Sequence, residues 1–496
     1  MPNFRALIKN IEKMAESRSI IIGREKEIRE LEDILNSRKA EFVVVYGRRR
    51  VGKTYLVREF FNNKFAFHHT GLSPFELSEE NILAEQLKSF ALTLSRFGRA
   101  EGNCPNSWME AFEMLRDLLE KRKEKGKKVV FIDEMPWMDT PRSGFMTAFE
   151  HFWNGWASGC RDIILVVCGS ATSWINDTLI NNHGGLYDRV TRTIHLSPFD
   201  LKESRELLES EGIQINDYNL VQSQMIFGGI PFYLSNFRRD MSLPQNIDRM
   251  FFEKDAKLKN EFSRLFSSSF TNAEVCEKIV RLLFKRKYGY TRNELAKMSG
   301  NTTGGTFSKI LEGLESSGII ISYRNLRDKR KIYYKLIDSF CLFYLTFVDG
   351  NKTSDEHFWQ NSSNSQSIES WCGISFENLC FAHINQIRQA LGISGVRTEV
   401  STWIFPGDEE HQGAQIDMVL TRADGIINLC EMKFSRNDFT VTKDYDRRLR
   451  ERTETFREIE KTRKTIHNTL ITTYGLKHNA WSDLFQSTVT IDALLK

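Results

Sequence analysis

The chain has 496 residues, of which 41% are hydrophobic and 27% charged, a composition typical of a folded protein with about two to four domains. The 30 Gly and 9 Pro are too few for a collagen-like chain or a long linker, and no apolar run approaches the roughly 18 residues of a membrane span. Lys and Arg exceed Asp and Glu by only 69 − 65 = 4 residues, which is too small an excess to indicate nucleic-acid binding from bulk charge. The 8 Cys form no CxxC pair, so we expect neither a zinc site nor a disulfide framework, and a cytoplasmic, reduced protein.

The first part of the chain alternates helices with buried strands. Residues 21–37 predict an amphipathic helix, because their apolar side chains recur at steps of three and four. Apolar, β-branched runs at 41–47, 127–135 and 162–170 predict buried strands separated by long helical segments. Strands connected in this way form a parallel sheet with helices on both faces.

The pattern changes beyond about residue 200. Residues 201–270 are mostly helical, interrupted by GGIPFYL at 228–234. Residues 273–337 show three short helix patterns and then two strand-like runs around a basic turn. The Ser- and Asn-rich stretch at 361–367 is the best linker candidate, and the helix and short strands that follow it predict a terminal α/β unit.

A phosphate-binding pattern lies between the first strand and its helix. The segment GRRRVGKT fits G-x-x-x-x-G-K-[ST] at every fixed position. The residues expected around the phosphates are Gly47, Arg48, Arg49, Arg50, Val51, Gly52, Lys53 and Thr54. The loop presents backbone N–H groups to phosphate oxygens, Lys53 reaches the β- and γ-phosphates, and the Thr54 hydroxyl is a ligand for Mg²⁺.

Two acids end the second strand, in VVFIDEM. Ligands bind at the carboxyl ends of parallel strands, which places Asp133 to hold Mg²⁺ and Glu134 to polarise an attacking water. Taken alone, Asp-Glu at a strand end is more simply a turn, but here it accompanies a complete phosphate loop. Ser170 ends the third strand and is expected to contact the γ-phosphate or the water.

These motifs together resemble one family. Gly23-Arg24-Glu25, the phosphate loop, IDEMPW, CGS, YDRVTRTIHLSPF and GGIPFYL occur in the order found in the archaeal-type ATPases, an AAA+/STAND-like group of P-loop ATPases. The resemblance covers residues 16–270 and implies ATP binding, with Arg24 near the nucleotide and Pro231 sensing it from a helical lid. It also implies that Arg189 or Arg192 acts on the γ-phosphate, with an exposed surface cation as the alternative.

The segment after the lid resembles a winged helix–turn–helix, which also follows the ATPase in this family. Its basic residues are Arg324, Arg327, Lys329, Arg330 and Lys331, in the hairpin. They would contact DNA phosphates without reading sequence. The predicted recognition helix carries Glu312 and Glu315 beside Lys309, so docking to a protein remains an equal alternative.

A second group of acids lies in the terminal unit. Asp417 is in the strand-like QIDMVL, and Glu431 and Lys433 are two residues apart in NLCEMKF, on one face of a strand. If the two strands pair, Asp417 and Glu431 converge as ligands for Mg²⁺, with Glu377 of the preceding helix assisting. An ion pair between Glu431 and Lys433 is the simpler alternative.

This arrangement resembles the PD-(D/E)xK nuclease core over residues 368–480, although Ile416 replaces the usual proline. The resemblance implies catalytic roles for Asp417, Glu431, Lys433 and Glu377. Fold does not establish activity, so a non-catalytic interaction domain remains the alternative. An arginine-rich helix beginning near Tyr445 would line a phosphate groove or be a solvated helix of mixed charge.

We therefore predict an α/β protein that combines a P-loop NTPase sheet and helical lid, a winged helix and a restriction-endonuclease-like domain. The predicted segments are 1–200 (ATPase core), 201–270 (lid), 271–345 (winged helix), 346–367 (linker) and 368–496 (nuclease-like domain). The expected function is an Mg²⁺-dependent ATPase or switch whose terminal domain cleaves or binds nucleic acid. The expected partners are ATP and ADP, DNA, and further copies of the chain, with no membrane. The alternative is an ATP-dependent regulatory protein with an inactive nuclease-like domain.

Overall fold

The computed structural model describes residues 21–74, 81–99, 102–123, 126–181, 184–351, 355–363 and 365–496. They form two compact units. The first comprises the described residues up to Ser197 together with Ser268–Thr271, and the second comprises Pro198–Ser267 and Asn272–Lys496. The helices predicted to be a lid on the ATPase core, 201–270, thus lie almost entirely in the second unit. In the part of the chain described here, no helix is long and apolar enough to cross a bilayer.

The first unit is built on a parallel sheet. Its strands are β1 (Glu41–Tyr46), β2 (Phe67–Thr70), β3 (Lys128–Asp133), β4 (Ile163–Gly169) and β5 (Arg192–His195). Its helices are α1 (Glu25–Leu35), α2 (Lys53–Phe60), α3 (Ile82–Arg96), α4 (Trp108–Lys121), α5 (Phe145–Gly155) and α6 (Thr172–Ile175), the last followed by a π-helical turn, Asn176–Ile180. The strands lie in the order β2-β3-β4-β1-β5, all parallel. The predicted parallel α/β sheet is confirmed, and β2 and β5 are short edge strands that the sequence analysis did not identify.

The sheet is held by a core rich in aromatic side chains. β1 is buried from Glu41 through Val45, and β4 is buried throughout, because parallel strands are covered on both faces. Phe90, Phe112 and Phe149 of helices α3, α4 and α5 are fully buried in one core cluster. This packing sets the carboxyl ends of β1, β3 and β4 side by side, where the phosphate loop, the two acids and Ser170 follow.

The second unit combines helices with a mixed sheet. Its strands are β6 (Tyr290–Thr291), β7 (Ile320–Asn325), β8 (Asp328–Leu336), β9 (Thr398–Phe405), β10 (Ala414–Arg422), β11 (Ile426–Lys433), β12 (Phe439–Thr440), β13 (Thr465–Thr472), β14 (Leu476–Lys477) and β15 (Ser487–Val489). Its helices before β9 are α7 (Leu201–Ser210), α8 (Asp217–Phe227), α9 (Pro231–Leu234), α10 (Leu243–Phe251), α11 (Glu261–Ser267), α12 (Ala273–Phe284), α13 (Arg292–Ser299), α14 (Gly305–Ser316), α15 (Ser339–Phe343), α16 (Phe358–Ser362), α17 (Gln366–Ala382) and α18 (Ile384–Ala390). Two helices follow β9, α19 (Lys443–Glu460) and α20 (Ile491–Leu494).

The predicted hairpin and the terminal strands form one sheet. The strand order is β15-β13-β11-β10-β9-β7-β8-β6, and β7 joins β9 through the pair Asn325–Thr402. The backbone N–H of Leu326 donates to the carbonyl of Thr402, and the Arg327 guanidinium lies 5.0 Å from the Phe405 ring centroid. The helix–helix–helix–hairpin order of 273–337 is therefore present, but its hairpin is an extension of the terminal sheet.

The segment predicted as a linker, 346–367, contains a packed helix. Trp359 of α16 is fully buried, with its ring centroid 5.1 Å from that of Phe343 and 6.2 Å from that of Trp371. The buried Asp248 carboxylate accepts hydrogen bonds from the backbone N–H groups of Trp359 (2.7 Å) and Gln360 (3.1 Å) and from the Gln360 side chain (2.9 Å). The polar composition predicted a linker because the sequence does not show that a distant carboxylate caps this helix. Residues 352–354 and 364 lie outside the described residues.

We expect Asp248→Ala to loosen this helix. The substitution leaves the Trp359 and Gln360 N–H groups without their acceptor, at a cost of about 2–4 kcal/mol for buried donors to a charged group. Hydrogen–deuterium exchange should therefore become faster in a peptide covering residues 358–363. Asp255→Ala, at an exposed position, is the control. Equal exchange in the two variants would contradict this account of the segment.

Candidate functional site

The phosphate loop, residues 47–52, connects β1 to α2 through a tight turn. Gly47 has φ +143°, and a Cβ added there would lie 2.3 Å from the Leu196 carbonyl oxygen, so only glycine fits. Arg50 and Gly52 also have positive φ angles, and Gly52 is the residue that precedes the first turn of α2. The loop thus curls over a helix N-terminus, which attracts anions.

Lys53 spans this loop. Its Nζ donates hydrogen bonds to the carbonyl oxygens of Gly47 and Arg48, each at 3.0 Å, and the side chain is buried. Among its neighbours, Arg48 and Val51 are buried and Arg49 and Arg50 are half-buried. The ammonium group is therefore held among the residues that the sequence assigned to the phosphates.

Asp133 and Thr54 meet beside the loop. The Thr54 hydroxyl donates to Asp133 Oδ2 at 2.9 Å, and the Glu134 backbone N–H donates to Asp133 Oδ1 at 3.0 Å. Burial, reinforced by the charge of Glu134, raises the pKa of Asp133 to about 6. A hydroxyl and a buried carboxylate in contact are the hard oxygen ligands that Mg²⁺ prefers, so these residues fit the predicted ion.

Glu134 is held by Ser170 at the end of the neighbouring strand. Glu134 adopts the left-handed conformation with φ +46°, which directs its side chain across the sheet edge. Its Oε2 accepts hydrogen bonds from the Ser170 hydroxyl at 3.0 Å and from the Ser170 N–H at 3.2 Å. Ser170 was expected to contact the γ-phosphate or the water, and here it positions the acid predicted to act on that water.

Arg24 braces the phosphate loop from outside the sheet. This buried side chain donates from Nη2 to the carbonyl oxygens of Ser197 (2.8 Å) and Val51 (3.2 Å). The family resemblance implied that Arg24 lies near the nucleotide. The geometry adds a link between the loop and Ser197, the last residue before the unit boundary.

Three predicted residues of this site remain: Arg189, Arg192 and Pro231. Arg189 and Arg192 are both exposed. Arg192 begins β5 level with Val43, three residues before Tyr46, the end of β1, so the strand places it away from the phosphate loop. Pro231 begins α9 in the second unit. A γ-phosphate role for either arginine and nucleotide sensing by Pro231 stay predictions.

The second predicted site lies on the hairpin β10–β11, which pairs antiparallel with Met418 opposite Cys430. Lys433 Nζ lies 2.8 Å from Glu431 Oε1, which is the ion pair that the sequence left open. Arg452 of α19 reaches Glu431 Oε2 at 2.6 Å, and the Tyr445 hydroxyl donates to Glu431. Burial alone would raise the pKa of Glu431, but the charges of Arg452 and Lys433 outweigh it and lower the pKa to about 2.

Glu377 and Asp417 form a separate pair around a lysine that the sequence analysis missed. Lys287 Nζ lies 2.8 Å from Glu377 Oε2 and 3.6 Å from Asp417 Oδ1. Burial and the charge of Asp417 raise the pKa of Glu377. Over the described ranges, no group of three or more Asp, Glu, His or Cys side chains could hold a metal ion, and metal binding by Asp417 and Glu431 with the help of Glu377 stays a prediction. The chain's own cations neutralise these acids instead.

The basic segments predicted to contact nucleic acid are partly paired internally. In α19, Arg447, Arg450 and Arg457 form ion pairs with Asp444, Asp446 and Glu454, as on a solvated helix of mixed charge. In the hairpin, Arg327 Nε lies 3.8 Å from Glu460 Oε1. The side chain of Lys329 lies outside the described residues.

Part of the chain is similar to a known domain family. Residues 21–237 match the profile of an ATPase domain predominantly from Archaea. The matched residues include the phosphate loop and the two acids at the end of β3. It is 21% identical over 404 residues to the uncharacterized protein MJECL04 of Methanocaldococcus jannaschii, covering 81% of this chain and 84% of that protein. It is also 44% identical over 45 residues to the uncharacterized ATP-binding protein MJ0423 of the same organism, covering 9% of this chain and 76% of that protein.

Solved structures with low identity are also similar to this chain. The Walker-type ATPase PABY2304 of Pyrococcus abyssi is 18% identical with a TM-score of 0.44, covering 66% of this chain and 97% of that one. The ORC2 protein of Aeropyrum pernix, in a complex with ADPNP and ADP, is 12% identical with a TM-score of 0.39, covering 68% of this chain and 95% of that one.

We expect Asp133→Asn to stabilise the nucleotide-free protein in a pH-dependent way. The carboxyl has a pKa of about 6 in the folded protein against an ordinary value of 3.8, so the native state keeps a proton that the unfolded chain loses. The native protein therefore loses stability as the pH rises from about 3.8 to about 6. The neutral amide of Asp133→Asn avoids this loss. Above pH 6 the free energy of unfolding of the variant should exceed that of the native protein by on the order of 2–3 kcal/mol, and near pH 4 this difference should vanish.

Thermal unfolding midpoints at pH 4 and pH 7.5, with chelator and without nucleotide, measure this difference. Asp117→Asn, at an exposed position of α4, is the control for removal of a charge. An equal gain for Asp133→Asn at both pH values would show that the buried charge is not its source.

Proposed function

We propose that the first unit binds ATP together with Mg²⁺ and hydrolyses it slowly. The observation that carries this proposal is the contact between Thr54 and Asp133 beside a complete phosphate loop. The loop N–H groups and Lys53 hold the phosphates, with Lys53 exchanging its two loop carbonyls for phosphate oxygens. Thr54 and Asp133 hold the magnesium ion, which when bound neutralises charge on the β- and γ-phosphates.

Glu134 is the residue that we assign to the attacking water. At the sheet edge it would orient the water and accept its proton as the water oxygen bonds to the γ-phosphorus, while the bond from that phosphorus to the β–γ bridging oxygen breaks and ADP leaves. Its two hydrogen bonds from Ser170 hold it at the end of β4, so the carboxylate must shift from this position or act through its second oxygen. This restraint favours slow turnover.

Substitutions at Lys53 and Glu134 should separate binding from hydrolysis. Lys53→Ala removes a charge-assisted contact to the phosphates and should reduce ATP affinity by about 100-fold or more in calorimetry. Glu134→Gln keeps the shape of the side chain but cannot accept a proton, so it should bind ATP normally and lose single-turnover hydrolysis by about 100-fold or more.

Lys64→Ala, an exposed lysine just beyond α2, is the matched control and should behave as the native protein. Unchanged ATP affinity in Lys53→Ala would remove the basis of the proposal. If the native protein binds ATP tightly but shows no hydrolysis in a single turnover, with or without DNA, it is a nucleotide-binding switch and not an ATPase.

We further propose that the second unit, in the arrangement observed, binds a macromolecular partner without cleaving nucleic acid. Each acid of its D…ExK pattern already has a cation of the chain beside it, at 2.6–3.6 Å. A metal-dependent phosphodiesterase needs free carboxylates to hold its ions. These pairings favour the non-catalytic alternative for the nuclease-like domain.

We expect plasmid, linear DNA and RNA to survive incubation with the native protein and Mg²⁺ or Mn²⁺, with and without ATP. Gel electrophoresis of the products, with Asp417→Ala and Lys433→Ala in parallel, measures this. Cleavage by the native protein that both variants abolish would overturn the proposal and establish the nuclease.

A further inference from the structure

The loop between α12 and β6 presents Lys287 from a rigid turn. Gly289 has φ +66°, and a Cβ added there would lie 1.7 Å from the Tyr334 carbonyl oxygen, so the turn is pressed against β8. The Tyr323 hydroxyl donates to the carbonyl of Tyr288, and Tyr290 pairs with Tyr334. Tyr288 and Tyr290, on either side of Gly289, are therefore fixed to the hairpin β7–β8. The backbone thus sets the position of Lys287.

The turn delivers the Lys287 ammonium between two carboxylates from other elements. Nζ lies 2.8 Å from Glu377 of α17 and 3.6 Å from Asp417 of β10, and the three side chains are 28%, 14% and 28% exposed, in the order Lys287, Glu377, Asp417. Lys335 of β8 also interacts electrostatically with both acids, and its Nζ lies 5.4 Å from the Phe381 ring centroid. Two acids and two lysines of the chain thus act on one another electrostatically at this place.

The Glu377–Asp417 pair does not fit a divalent cation while this lysine is in place. Mg²⁺ binds carboxylate oxygens at about 2.0–2.1 Å in a near-octahedral shell. An ion bridging the two acids would therefore lie in the volume of the Lys287 ammonium, which already contacts both. The Lys287 ammonium and a divalent cation are both positive, so they cannot occupy this volume together.

We propose that Lys287 is the resident cation of the Glu377–Asp417 pair, occupying the position of a divalent metal and locking the predicted nuclease centre closed. The inference rests on the proposed non-cleaving state of the second unit and supplies its physical cause. The same ion pairs fasten the α12–β6 loop to α17 and β10. Withdrawal of Lys287, by movement of the loop or by substitution, would free two carboxylates, the number that one Mg²⁺ or Mn²⁺ accepts.

The test measures Mn²⁺ binding to the full-length, nucleotide-free, chelator-washed protein by electron paramagnetic resonance. Lys287→Met should gain one bound Mn²⁺ per chain, with an affinity at least tenfold above that of the native protein. Lys285→Met, at an exposed position on the same segment, should gain no Mn²⁺ site. Lys287→Arg should also gain none, because it keeps the positive charge. The gained site should disappear in Lys287→Met combined with Asp417→Asn.

A second readout does not require the Lys287 variant to fold. Acylation of surface lysines followed by mass spectrometry should label Lys287 at least fivefold more slowly than Lys285 in the native protein. Glu377→Gln or Asp417→Asn should raise the Lys287 rate toward that of Lys285. Equal labelling of the two lysines in the native protein would overturn the lock.

Two metal-binding outcomes would also overturn the proposed role of Lys287. One is Mn²⁺ binding by the native protein as tight as by Lys287→Met, and the other is the absence of an additional Mn²⁺ site in Lys287→Met. Neither depends on ATP or on strand cleavage, so a failure of the lock is distinguishable from a failure of the proposed function. Cleavage by the native protein would instead refute the non-cleaving state, whatever the Mn²⁺ result.

Discussion

Burial of a carboxylate costs several kcal/mol unless a cation or hydrogen-bond donors compensate for the lost water. Asp133, Glu377 and Glu431 are all largely buried, and each lies where the sequence predicted chemistry. The two units meet this cost in different ways. The difference decides what each group of acids is able to bind.

In the first unit the free-energy cost of burying the Asp133 carboxylate is only partly compensated. Asp133 receives hydrogen bonds from Thr54 and from the Glu134 N–H, yet burial still raises its pKa to about 6. Lys53, whose charge also acts on Asp133, donates its hydrogen bonds to two carbonyl oxygens of the loop. The unpaired charge is what suits this position to a magnesium ion, and it is tolerated because the aromatic core fixes the strand ends regardless of the ligand.

In the second unit the chain supplies the compensating charges itself. Glu431 is paired with Lys433 and Arg452, and Glu377 and Asp417 share Lys287. These cations come from three different places: β11, helix α19 and the α12–β6 turn. The pairs therefore join the helical segment and the terminal strands electrostatically, in addition to the backbone pairing of β7 with β9. The extended sheet and the ion-paired acids are two consequences of one packing arrangement.

The sequence by itself determined the features that are local. The phosphate loop, the strands β1, β3 and β4, and the acids at the end of β3 follow from apolar runs and from residue spacings within one short segment, where chain connectivity already fixes the neighbours. It also indicated the helices of residues 273–337 and the Glu431–Lys433 ion pair, since side chains two apart on a strand share a face.

Only the tertiary structure decided which distant charges meet. Lys287 carries no motif, and its partners Glu377 and Asp417 lie far along the chain, so no periodicity reveals the contact. The same holds for Asp248, which caps a helix in a segment whose polar composition predicted a linker, and for Arg192, whose strand register places it away from the loop. Periodicity reports the environment of one element, whereas these contacts depend on how separate elements pack, which the spacing of residues in the chain does not encode.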